Sequence, residues 1–212
     1  PPTSHPAPRA TPRALQGNRL LRQPAFWLVT ISFTLVSGSF VGVLTHQVVF
    51  LKDSGMNQVT AAGTLGMVAG MGIAGKLLAG YLSDRLSRLW LAGLIAVLQA
   101  AGLLVLMSSQ TQQAVWVFVM VFGLAVGAVP VMRPLLLSDF FGSDAFGANY
   151  GWMMLFSSLG AATGPPFAGY IYDTTGSYTG AFTTFVAAYV ASVLCLVLAR
   201  RLRPSQEGLR PA

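Results

Sequence analysis

Charge is what this chain lacks most. Only 9% of its 212 residues are charged, and six of those are acidic. A soluble domain carries about 25% charged residues. With 54% hydrophobic residues and a mean hydropathy of +0.63, there is too little polar surface to cover a water-soluble globule. An ordinary soluble enzyme is thereby excluded. The net charge of +7 reflects scarce acids more than plentiful bases, and the bases sit at the chain ends and in short breaks. That pattern reads as membrane topology, and no nucleic acid is expected as a partner. The single cysteine, Cys195, stands in an apolar run. One cysteine allows no disulfide framework within the chain, and no metal cluster, nucleotide loop or nucleophile triad is found, so no cofactor is expected. No basic segment leads into an apolar stretch near the start, which begins Pro1-Pro2-Thr3 without Met, so the chain reads as a piece of a longer protein with no secretory signal.

Long apolar runs dominate what is present. Residues 1–25, rich in Pro and Arg, predict a cytoplasmic linker, and 200–212 a basic cytoplasmic tail. Between them, 26–50, 59–82, 89–108, 114–138, 148–172 and 179–199 are each long enough to cross a bilayer. Backbone amides in lipid must be satisfied within each span, so the expected fold is all-α, with six transmembrane helices over 26–199. Six spans put both termini on one side. That side collects Arg9, Arg13, Arg19, Arg22, Arg85, Arg88, Arg200, Arg201, Arg203 and Arg210, against Lys52 alone on the other. Both termini are therefore expected in the cytoplasm of a cell (plasma or inner) membrane.

Small residues predict where helices approach closely. The second span carries Ala62, Gly66, Gly70 and Ala74 at every fourth position; the fourth has Gly123 and Gly127, and the fifth Gly160, Gly164 and Ala168. These three spans are expected to pack together, with the third and sixth facing lipid. Pro165-Pro166 removes two amide donors inside the fifth span and frees the carbonyls of Ala161 and Ala162. Gly164, Pro165 and Pro166 are a candidate kink or gate.

The run Gly75-Lys76-Leu77-Leu78-Ala79-Gly80-Tyr81-Leu82-Ser83-Asp84-Arg85-Leu86-Ser87-Arg88 resembles the cytoplasmic loop signature of the major facilitator superfamily. The stretch from Gly164 to Tyr178 resembles the eleventh-helix ending of its monocarboxylate porter and oxalate/formate antiporter branch. Phe140-Phe141-Gly142, with Gly147 and Tyr150-Gly151, is similar to the loop before that helix. The resemblance covers about residues 20–200. It implies spans seven to twelve, one half of a twelve-helix fold whose N-terminal half is a further partner. It also implies that Gly80, Asp84, Arg85 and Arg88 form a conformational latch, with Asp84 capping a helix of the other half.

Two cations fall inside spans. Lys76 stands where the branch usually has an arginine, ~9 Å inside the end of its span. It reads either as an anchor for a substrate carboxylate or as a snorkelling side chain. Arg133, between Pro130 and Pro134, reads as a substrate or gate residue or as the partner of Asp139, Asp84 or freed carbonyls. His46 is a third candidate for binding substrate or a coupling proton; its other reading is an interfacial hydrogen-bonder. Gly72 stands where proton-linked members carry an acid, and no acid lies within a span of this half. Bases without acids predict an electropositive cavity. The expected function is secondary transport of a small organic anion, a monocarboxylate or related carboxylate, by alternating access. The alternative is a transport-inactive membrane receptor or scaffold with the same fold. The partners expected are the anion, membrane lipid and the other half.

Overall fold

The computed structural model describes residues 21–108, 111–142 and 146–203. Most of the expected linker and tail, residues 1–20 and 204–212, lies outside them. Six helices follow in order: α1 (Pro24–Asp53), α2 (Gln58–Ser83), α3 (Arg88–Ser108), α4 (Gln112–Phe141), α5 (Phe146–Thr175) and α6 (Thr179–Arg201). Each predicted span is present and is longer by one to five residues. The 21-residue α3 is ~32 Å long, just enough for a hydrocarbon core of ~30 Å. Five of the six helices are long and apolar enough to cross a membrane. The exception, α5, has the length, but Asn149, Ser157, Ser158, Thr163 and its two prolines dilute its hydropathy.

Local chemistry sets the boundaries. Pro24 occupies the first turn of α1, where a missing N–H costs nothing. Asn57 Oδ1 accepts from the Val59 N–H at 2.8 Å to cap α2. After α4 the chain turns at Gly142, whose φ of 73° suits only a residue without Cβ.

The helices do not pack as the glycine pattern alone suggested. α2 does pair with α4, but α5 pairs with α1 and barely touches either of them. α1 also packs on α6, α4 on α3, and α3 on α6. Advancing every helix by three positions maps this set of pairs onto itself. Successive spans alternate in direction, so the two three-helix units are inverted relative to each other, a common construction in transporters. The close approaches repeat as well. A Cβ on Gly127 of α4 would run into the carbonyl of Gly72 of α2, and one on Gly164 of α5 into the carbonyl of Gly38 of α1. Gly38, four residues before Gly42 on α1, belongs to a small-residue pair that the stripes of α2, α4 and α5 did not include.

Exposure is also redistributed. Half of the spanning window of α3 is buried, against 22% of that of α2. Leu91, Ile95, Leu103 and Leu106 fill the space α3 shares with its neighbours. In α2 the face that meets α4 carries Ala61, Thr64, Val68, Gly72, Gly75 and Ala79. Ala62, Gly66, Gly70 and Ala74, the stripe evident in the sequence, face outward.

Candidate functional site

A cavity of about 320 Å³ opens between α1, α2 and α4. Phe40 and Leu44 come from α1; Leu65, Val68, Gly72 and Lys76 from α2; Val126, Gly127, Pro130 and Arg133 from α4. Both cations that fall inside spans therefore line one space. Their positions follow from the helix crossing. α2 and α4 run in the same direction and touch at Gly72 and Gly127. Lys76 is one turn past that crossing, on the face of Gly72, and Arg133 lies ~9 Å past it. Each sits ~10–12 Å from the helix end that carries the arginine-rich breaks.

The two cations are held differently. Lys76 is exposed in this half, its side chain free to enter the cavity. Arg133 is half-buried and reaches across to α1 and α5. Its Nη2 donates to Ser37 Oγ at 2.5 Å, and its Nη1 lies 3.8 Å from Met154 Sδ. The guanidinium carbon is 5.9 Å from the centre of the Phe33 ring. Its Nε is buried without a hydrogen-bond partner. The freed carbonyls considered for it are not used; Ser37 is. Ser37 in turn donates to the Phe33 carbonyl at 2.6 Å. Ser37, Phe33 and Met154 were invisible as partners in the sequence, because 96 residues separate Ser37 from Arg133.

Among the described residues no carboxylate pairs with either cation. Asp139 is 3.4 Å from Arg203, whose guanidinium also donates to the Asp139 carbonyl and lies over the Phe140 ring. Asp53 accepts from the Tyr172 hydroxyl at 3.0 Å, at the opposite end. Asp84 and Asp173 are exposed at helix ends. The cavity wall is thus apolar apart from two uncompensated positive groups, a setting in which low dielectric strengthens attraction for an anion.

His46 lies elsewhere. It is seven residues before the end of α1 at Asp53, the opposite end of the bundle. Its Nε2 is 3.0 Å from the Pro165 carbonyl and its Nδ1 3.1 Å from the Tyr178 hydroxyl. Tyr178 stacks on Tyr172 at 4.3 Å between ring centres. Burial pushes the Tyr178 phenol above its ordinary pKa, so it remains a neutral hydrogen-bonding group. These contacts tie α1 to α5 and to the start of α6. α5 runs unbroken from Phe146 to Thr175 through Pro165 and Pro166. Gly164 borders a second cavity, of about 290 Å³, between α1, α5 and α6.

The loop motif occupies the turn from α2 to α3. Ser83 donates to the Gly80 carbonyl at 2.7 Å, and the Arg85 guanidinium lies 4.4 Å from the Tyr81 ring centre. Asp84 has no ion-pair partner among the described residues. Arg88 opens α3.

The sequence profile of the Major Facilitator Superfamily matches residues 1–142 and, in a second overlapping match, residues 73–212. Monocarboxylate transporter 13 of Bos taurus is 27% identical over 181 residues, which is 81% of this chain and 41% of the relative. Monocarboxylate transporter 11 of Homo sapiens is 28% identical over 198 residues, 85% of this chain and 40% of the relative. The MFS transporter asaE of Aspergillus flavus is 28% identical over 166 residues, 78% of this chain and 38% of the relative. The chain spans about two fifths of the length of these relatives.

Proposed function

We propose that this chain, which belongs to the Major Facilitator Superfamily, is one half of a secondary transporter that moves a small organic anion, a monocarboxylate or related carboxylate. One observation carries the reading: Lys76 and Arg133 line the same cavity, and no described acidic residue does. An unpaired charge at membrane depth is costly, so such groups mark substrate paths. Lys76 offers a mobile point charge. Arg133 offers a fork already oriented by Ser37, with its Nε still unpaired. A carboxylate bound between them would neutralise both.

The relatives named as monocarboxylate transporters agree with that chemistry. The other half would close the cavity. In support, the outward stripe of Ala62, Gly66, Gly70 and Ala74 on α2 is shaped for close helix approach yet is exposed among the described residues. Asp84, exposed beyond the end of α2, is free to cap a helix across that boundary. Rocking of one half on the other would expose the anion to each side in turn, driven by its tighter binding in the switching state. Arg85, Arg88, Arg200, Arg201 and Arg203 at one end, against Lys52 at the other, support cytoplasmic termini in a cell membrane. A coupling proton finds no carboxylate in this cavity and would ride on the other half.

The test is uptake of labelled mono- and dicarboxylates into proteoliposomes by the full-length protein. Lys76→Ala and Arg133→Ala should each lower kcat/KM by about tenfold or more, as expected for losing a charged hydrogen bond to substrate. Normal uptake by both variants would sink the assignment.

A further inference from the structure

A second opening lies on the side of the bundle away from the two cations. A groove of about 420 Å³ runs between α3 and α6, helices that contribute nothing to the Lys76 cavity. Its walls are apolar, with Trp90, Leu94, Val97 and Val197 all substantially exposed; Trp90 is 71% exposed. Its closed chemistry changes only at one end. There Arg200 joins the lining beside Ser87, at the end of the bundle that also carries Arg88 and Arg201.

We propose that this groove seats one anionic phospholipid, its phosphate on Arg200 and one acyl chain along α3. Charge and length argue for that occupant. Arg200 has no ion-pair partner among the described residues. It sits where the first turn of α3 leaves N–H groups unpaired, since the first amide to find a helical acceptor is Leu91, bonded to the Ser87 carbonyl. Those amides and the helix dipole add to the positive field. From Ser87 to Val97 the groove follows α3 for ~15 Å. That is about half the ~30 Å hydrocarbon core, the depth of a single leaflet. Trp90 lies one turn in, at the level where aromatic side chains meet headgroups. A soluble ligand would have no reason to require such a wall, and a partner helix would not require the cation at its end.

The full-length protein in detergent, offered equimolar phosphatidylglycerol and phosphatidylcholine, tests this by native mass spectrometry. Wild type should retain one phosphatidylglycerol with about fivefold preference, the value expected for one basic group near the membrane surface. Arg200→Gln should abolish the preference and Arg200→Lys keep it. Gly93→Phe should lower retention of both lipids, because Gly93 lines the groove and has open space over its Cα. Equal retention of the two lipids by wild type, or an unchanged preference in Arg200→Gln, would overturn the proposal. So would a dimer that Gly93→Phe dissociates, which would give the groove to a second copy. None of these readouts involves transport, so they fail or succeed independently of the anion reading.

Discussion

The Gly72–Gly127 crossing makes an asymmetric prediction. Both residues are glycine and they touch each other, yet the space beside them differs. A Cβ on Gly72 would meet the Gly127 Cα at 3.6 Å and the Gly123 carbonyl oxygen at 3.7 Å, which is ordinary contact. A Cβ on Gly127 would collide with the Gly72 carbonyl, a backbone group that cannot rotate away. Gly127→Ala must therefore push α2 and α4 apart. Helix association in lipid depends on van der Waals contact, so this loss is not offset by a hydrophobic drive. Overpacking a tight site costs about 1–3 kcal/mol, and backbone-on-backbone crowding places Gly127→Ala at or above ~3 kcal/mol. Gly72→Ala should cost less than ~1 kcal/mol, since alanine fits and improves helix propensity. Thermal unfolding of the purified full-length protein in detergent measures both. The same separation would displace Lys76 relative to Arg133, so Gly127→Ala should also weaken anion uptake. If Gly127→Ala proved as stable as Gly72→Ala, the glycine-mediated crossing that positions the two cations would be refuted.

Other expectations are smaller. Ser37→Ala removes the acceptor of Arg133 Nη2 and should cost about 0.5–2 kcal/mol of stability by the same assay. It should impair uptake less than Arg133→Ala. Asp139→Asn should cost under ~1 kcal/mol, because its pair with the exposed Arg203 is open to solvent and screened by salt. Arg203→Ala should cost more, since it also loses the Asp139 carbonyl and the Phe140 ring. His46→Ala should speed hydrogen exchange near the start of α6 and the end of α5, whereas Tyr178→Phe, which keeps its stacking on Tyr172, should do so less. Equal exchange in all three proteins would show that His46 ties nothing together.

What could be read from the sequence divides along physical lines. Span limits were legible because a helix in lipid must satisfy its own amides, so the length of an apolar run is the length of a helix. Helix partners were not. A glycine stripe reports that something approaches closely, not what does. On α2 two such faces coexist: Gly72 and Gly75 meet α4, while Gly66 and Gly70 meet nothing among the described residues. Only the packing of the helices separates them. The partner of the α5 glycines, the repeat Thr34, Gly38 and Gly42 on α1, is visible in the sequence, but nothing in it says that α5 is the helix it meets. The cavity was half legible. Depth alone places Lys76 and Arg133 near a common level, because α2 and α4 end on the same side and both residues lie ~10–12 Å from that end. The same arithmetic puts His46 ~10 Å from the opposite end, where its ring bonds to Pro165 and Tyr178. Depth, read consistently along each helix, thus groups the cations and sets the histidine apart. What depth cannot supply is azimuth, the direction in which Arg133 turns. That depends on Ser37 and Met154, two side chains far away in the chain and brought within reach only by the packing of α1 and α5.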